Sequence, residues 1–158
     1  MDRLYRFSPI TTKEEFERVL LYIAEQSQKM IQQVCGQALP IESLRVFAHY
    51  PNEYRDLTEF IATYGPPSTV QPQKGMYVDA AFTAGDSVTK RIGIRPPDPH
   101  SMQVGHADFA VDGFEAFRQQ YSNHPDGFVR ELPGREESML EIWHPDFDVL
   151  GYVVRKIA

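Results

Sequence analysis

Six side chains of one sequence have the chemistry to hold an anion or a metal ion, and they sit on short stretches that alternate polar with apolar residues. Arg45 and His49 lie in Ser43-Leu44-Arg45-Val46-Phe47-Ala48-His49, and Arg95 closes Arg91-Ile92-Gly93-Ile94-Arg95. His106 and Asp108 stand two apart in Gly105-His106-Ala107-Asp108-Phe109-Ala110-Val111, and Glu141 is in Leu140-Glu141-Ile142-Trp143. In a β-strand successive side chains point to opposite faces. If Leu44, Val46, Ile92, Ile94, Ala107, Phe109, Leu140 and Ile142 pack against helices, the other face carries Arg45, Phe47, His49, Arg91, Arg95, His106, Asp108, Glu141 and Trp143. Two kinds of chemistry are open to that set. A divalent metal accepts mixed imidazole and carboxylate ligands, here His106 and Glu141 with Asp108 or His49 beside them, and acts as a Lewis acid on a substrate with adjacent oxygens. Paired guanidinium groups clamp a carboxylate or phosphate bidentately, here Arg45 and Arg95 with no metal needed. The plainer alternative is a structural ion-pair network, such as Arg95 with Glu141.

The elements that must position these residues are legible from spacing. Thr12-Lys13-Glu14-Glu15 has the form of a capping box, and Phe16, Val19, Leu20, Ile23, Met30, Ile31 and Val34 then recur at helical spacing up to Gly36. A strand is expected over 43–49, a helix from Pro51 to about Tyr64, and a hairpin of strands 76–82 and 88–95 turning at 83–86. After Pro96-Pro97-Asp98-Pro99 the cycle restarts: a strand over 103–111, a helix from a capping-box-like Asp112-Gly113-Phe114-Glu115, and strands at 128–132, 138–143 and 147–157. The two cycles repeat at a spacing of about 60 residues.

Composition bounds the reading. The chain has 158 residues, 42% of them hydrophobic, and a formal net charge of -6, which suits one domain with a proper core. The acidic balance argues against general nucleic-acid binding. No apolar run is long enough to span a bilayer, and the first residues lack the pattern of a signal peptide, so a cytoplasmic protein without membrane partners is expected. Cys35 is the single cysteine. It excludes an internal disulfide and reads as a small buried residue rather than a nucleophile. His124, Asp98-Pro99-His100 and His144-Pro145-Asp146 read as turns and connections.

The element order, with Gly105-His106-Ala107-Asp108-Phe109-Ala110-Val111 and Leu140-Glu141-Ile142-Trp143-His144-Pro145, resembles the vicinal oxygen chelate superfamily, also called the glyoxalase/bleomycin-resistance/extradiol-dioxygenase superfamily, and within it the YecM-like branch. The resemblance implies an α+β fold of two tandem βαβββ modules forming a cupped mixed sheet. An N-terminal helical segment (1–40) would precede the first module (41–97) and the second (102–158). It implies His106 and Glu141 as ligands of one divalent metal, with Glu141 on the closing strand of the second module, and Arg45, Arg95, His49, Asp108 and Trp143 as substrate contacts. It implies a small-molecule ligand, anionic given the two arginines, and a homodimer. An enzyme on this plan would be a metal-dependent isomerase, lyase or dioxygenase. The family's first-module ligand positions, near 43 or 45 and near 95, carry Ser43, Arg45 and Arg95 here. That departure favours a metal-free binding or sequestration protein. A structural or partner-binding protein without catalysis is the third possibility.

Overall fold

In the computed structural model, residues 4–69, 75–122, 124–132 and 139–156 are described. The first element is helix α1, Lys13–Cys35. The Thr12 side chain caps it by accepting from the Glu15 N–H at 3.1 Å, and Gly36, at φ 71°, ends it in the left-handed conformation that glycine adopts without steric cost. Its apolar stripe from Phe16 through Val34 is buried. That stripe packs on β1 (Ile41–Phe47), β6 (Gly105–Val111) and β9 (Val149–Arg155), the middle of the sheet.

Helix α2, Pro51–Ile61, opens with proline at its first turn, where the missing N–H costs no hydrogen bond. Strands β2 (Met76–Asp79) and β5 (Arg91–Arg95) pair antiparallel with each other. The expected hairpin is therefore subdivided: a two-stranded hairpin of its own, β3 (Thr83–Ala84) and β4 (Ser87–Val88), sits between them. Helix α3, Phe114–Tyr121, is capped by Gly113 with no side-chain bond. The capping-box expectation at Asp112 does not hold, because Glu115 is drawn to Arg118 and Arg155 instead. Strands β7 (Val129–Glu131) and β8 (Met139–Ile142) complete the set; Ser138 and Ile157, expected in strands, lie outside the described residues.

The architecture is α+β; among the described residues there are three helices and a seven-stranded mixed sheet in the order β2-β5-β1-β6-β9-β8-β7. β1 pairs parallel with β5, β6 pairs parallel with β9, and β1 meets β6 antiparallel at the centre. One face carries Leu44, Val46, Ile92, Ile94, Ala107, Phe109, Leu140 and Ile142 into the core, all at most 0% exposed. The alternation read from the sequence is thus the alternation that the core uses.

Candidate functional site

The opposite face of the sheet carries the polar set, ordered by register. Arg91 faces Ser43 on β1, Ser43 faces Asp108 on β6, Asp108 faces Tyr152 on β9, Tyr152 faces Glu141 on β8, and Glu141 faces Arg130 on β7. One row along, Tyr77 faces Gly93, Gly93 faces Arg45, and Arg45 faces His106. Next to these, Arg95 faces Phe47. Arg45, Arg95, His106 and Asp108 therefore do converge on the two central strands and their neighbour β5.

The centre is buried and carries charged groups. Arg45, His106 and Asp108 are 3%, 0% and 7% exposed. The Ser43 hydroxyl donates to Asp108 Oδ2 at 2.5 Å, and His106 Nε2 lies 3.5 Å from the same oxygen. Burial pushes the Asp108 carboxyl up, but His106, the Ser43 hydroxyl and Arg45 outweigh it and hold the pKa below the ordinary carboxylate value. Burial pulls the Arg45 guanidinium below its ordinary value against the opposing pull of Tyr77, Asp108 and Tyr152. It does the same to Arg95, which Asp98 pulls back up and Arg45 pushes further down. His106 is wedged edge-on between Phe47 and Tyr152, at centroid distances of 5.5 and 4.7 Å, and neither of its ring nitrogens has a hydrogen-bond partner. The Arg95 guanidinium lies 3.6 Å over the Phe47 ring, with Nε and Nη2 making no hydrogen bond.

Three expected site residues are not brought to this centre. β9, the strand over which the tail was read, lies between β6 and β8, so β8 is not the strand beside His106. Glu141 shares its row with Asp108 and Tyr152, and it is held by Arg130 Nη2 at 2.6 Å and by the Tyr152 hydroxyl at 3.1 Å. His49 lies beyond the end of β1, where strand alternation no longer applies. Its Nδ1 pairs with the Ser8 hydroxyl at 2.7 Å, its Nε2 with the Gln103 carbonyl at 3.1 Å, and its ring stacks on Tyr5 at 4.0 Å. Burial lowers the His49 pKa, Glu53 raises it and Arg95 lowers it. Trp143 lies beyond the end of β8, 40% exposed, donating Nε1–H to the Gly127 carbonyl at 2.9 Å and meeting Phe128 edge-on.

The donor set does not fit a divalent ion. Among the described residues no group of three His, Cys, Asp or Glu could hold one. His106 and Asp108 supply two donors, Glu141 is two strands from His106 and already engaged, and a buried guanidinium at Arg45 stands where a further carboxylate or imidazole would be needed.

Sequence reasoning placed Arg91 on this face and missed Tyr77, which is 1% exposed and whose hydroxyl has no hydrogen-bond partner. A signal for it was present. A glycine inside a strand marks a close approach, and a Cβ on Gly93 would meet Cδ1 and Cε1 of Tyr77 at 2.6 Å.

No family model and no curated protein sequence matches the chain. Solved structures do. A structural-genomics protein named EC4020 superposes with a TM-score of 0.63 at 8% identity, over 90% of this chain and 87% of that one. That likeness is one of fold. Other matches include a glyoxalase/bleomycin resistance protein/dioxygenase superfamily member from Vibrio splendidus 12B01 (TM-score 0.43, 10% identity, 75% of this chain and 100% of that one). A methylmalonyl-CoA epimerase in complex with methylmalonyl-CoA and NH4+ also matches (TM-score 0.45, 18% identity, 76% of this chain and 96% of that one). Among the described residues no helix is long and apolar enough to cross a membrane.

Proposed function

We propose that this chain is a small-molecule binding protein of the vicinal oxygen chelate type, and that its polar sheet face takes an anionic ligand without a metal. The two parallel strand pairs, β1 with β5 and β6 with β9, are read as the cores of two tandem modules whose opening strands meet at the centre. The observation that carries the reading is Arg95. Its guanidinium carbon lies 3.6 Å from the Phe47 ring centroid with two N–H-bearing nitrogens unspent, in surroundings that disfavour its charge. A carboxylate supplies both what the fork lacks and what the charge lacks. Arg45, on the adjacent strand, adds a second cation to the same half of the face. His106 and Asp108 line the other side as an imidazole–carboxylate pair able to orient a ligand hydroxyl.

The test is paired. Protein purified without chelators is assayed for metal content, and its melting temperature is followed against added succinate, acetate and inorganic phosphate. Sub-stoichiometric metal with a rise in melting temperature that Arg95→Gln abolishes supports the reading. A stoichiometric metal that His106→Ala removes would overturn it in favour of the metal-dependent isomerase, lyase or dioxygenase. An anion response that survives Arg95→Gln unchanged would move the ligand away from this face.

A further inference from the structure

The unpartnered buried polar atoms of this face include both ring nitrogens of His106 on β6 and a group of donors on β2 and β5. On β2 and β5 they are the Tyr77 hydroxyl, Arg91 Nε and Arg95 Nε and Nη2, none of which has a hydrogen-bond partner. On β8 and β9 the Glu141 carboxylate oxygens are taken by Arg130 and Tyr152. β2 and β5 therefore hold a cluster of donor atoms without acceptors, and buried donors in native proteins are almost always satisfied.

The placement of Tyr77 is built rather than incidental. The ring lies across Gly93, the only residue type that leaves room for it there: any Cβ would sit 2.6 Å from two ring carbons and 3.1 Å from the Met76 carbonyl oxygen. The ring thus leans from β2 over β5 toward β1, where Arg45 stands 5.2 Å from its centroid. Arg95 leans the same way, onto Phe47 of β1. In register Tyr77 is the partner of Gly93, two residues from Arg95, so the two donors are offset by about 7 Å along the strand direction. Burial, and Asp108 and Tyr152 nearby, raise the phenol pKa while Arg45 and Arg91 lower it; the net shift is upward, so the hydroxyl keeps its proton at neutral pH and donates.

We infer that Tyr77, seated on Gly93, is a specificity-determining ligand contact, and that with Arg91 and Arg95 it selects a short carboxylic acid bearing a second oxygen acceptor a few carbons away, a dicarboxylic or oxo-carboxylic acid. The inference rests on the anion-binding reading above: Arg95 holds the first carboxylate, and Tyr77 donates to the second group with Arg91 beside it. A monocarboxylate satisfies Arg95 alone and leaves the phenol without an acceptor. The ligand class is therefore set by the Tyr77 end, whereas affinity for any carboxylate is set by the Arg95 end.

Calorimetric titration of the full chain with succinate, glutarate and acetate tests this. Wild type is expected to bind one of the two dicarboxylates at least about tenfold more tightly than acetate. Tyr77→Phe is expected to bring that ratio to within about twofold of unity while acetate binding stays as it was, and to raise the melting temperature of the free protein, because an unsatisfied buried hydroxyl is gone. Arg95→Gln is expected to weaken binding of all three acids about ten- to a hundredfold. If Tyr77→Phe does not fold, Arg91→Gln, at a half-buried position, serves instead and is expected to narrow the ratio by about fivefold. A ratio unchanged in Tyr77→Phe, or in Arg91→Gln where that variant stands in, overturns the role of the Tyr77 end and leaves the anion-binding reading intact. Equal binding of acetate and both dicarboxylates by wild type does the same. No binding of any acid by wild type, or binding indifferent to Arg95→Gln, overturns both.

Discussion

The two halves of the polar sheet face carry opposite charges, and they differ in how far those charges are met. In the β6–β9–β8 half the carboxylates are spent: Asp108 is met by Ser43 and His106, and Glu141 by Arg130 and Tyr152. In the β2–β5 half Arg91, Arg95 and Tyr77 keep donors that no protein atom accepts. Satisfied acids stabilise the fold, while unsatisfied donors cost folding free energy until something binds them. Under the proposed function the first half is scaffold and the second is the recognition surface.

That contrast can be broken by substitution. The largest effect is expected from Asp108→Ala. It removes the buried acceptor of the Ser43 hydroxyl and an anion 3.5 Å from His106 Nε2 and near Arg45, and it should cost about 3–5 kcal/mol in a denaturant titration. A loss below about 1 kcal/mol would mean that the central carboxylate is not a scaffold element. Arg95→Gln should do the reverse, with stability equal to or above wild type and carboxylate affinity down about ten- to a hundredfold, or about 1.5–3 kcal/mol. A variant that instead unfolds easily would make Arg95 structural.

The acid limb of stability sharpens the comparison further. The Asp108 pKa is depressed in the folded protein. Its contribution is therefore complete above the unfolded carboxylate value of about 3.9 and is lost as pH falls through the lower folded value. Asp108→Asn should flatten the fall in stability below about pH 4, measured by melting temperature against pH, and an unchanged acid limb would count against the assignment. Glu141→Gln should matter least. Its partner Arg130 has a side chain 65% exposed, so a cost of at most about 1 kcal/mol is expected from chemical denaturation. A cost of several kcal/mol, or the loss of a bound metal, would return Glu141 to the functional centre.

Much of this was legible in short stretches of sequence, for a definite reason. Inside a strand the period of two is fixed by backbone geometry, so Leu44 and Val46 in the core force Arg45 to the other face, and Ala107 with Phe109 do the same for His106 and Asp108. Where the strand ends the rule ends with it. His49 follows the last residue of β1 and Trp143 the last of β8, and extending the alternation by one or two residues assigned both to the wrong surroundings. Tyr77 was missed because its place depends on a neighbour in another strand, although Gly93 gave a faint sign of it.

The sequence by itself determined the helical and strand segments, the buried face of each and the charge types on the other face, since these follow from local periodicity and caps. Only the tertiary structure decided which of those side chains meet. Strand order is a long-range property: inserting β9 between β6 and β8 separates Glu141 from His106, and pairing β2 with β5 lays Tyr77 over Gly93. Contacts between residues far apart in the chain are set by which strands pair and in what register, and no local pattern encodes that choice.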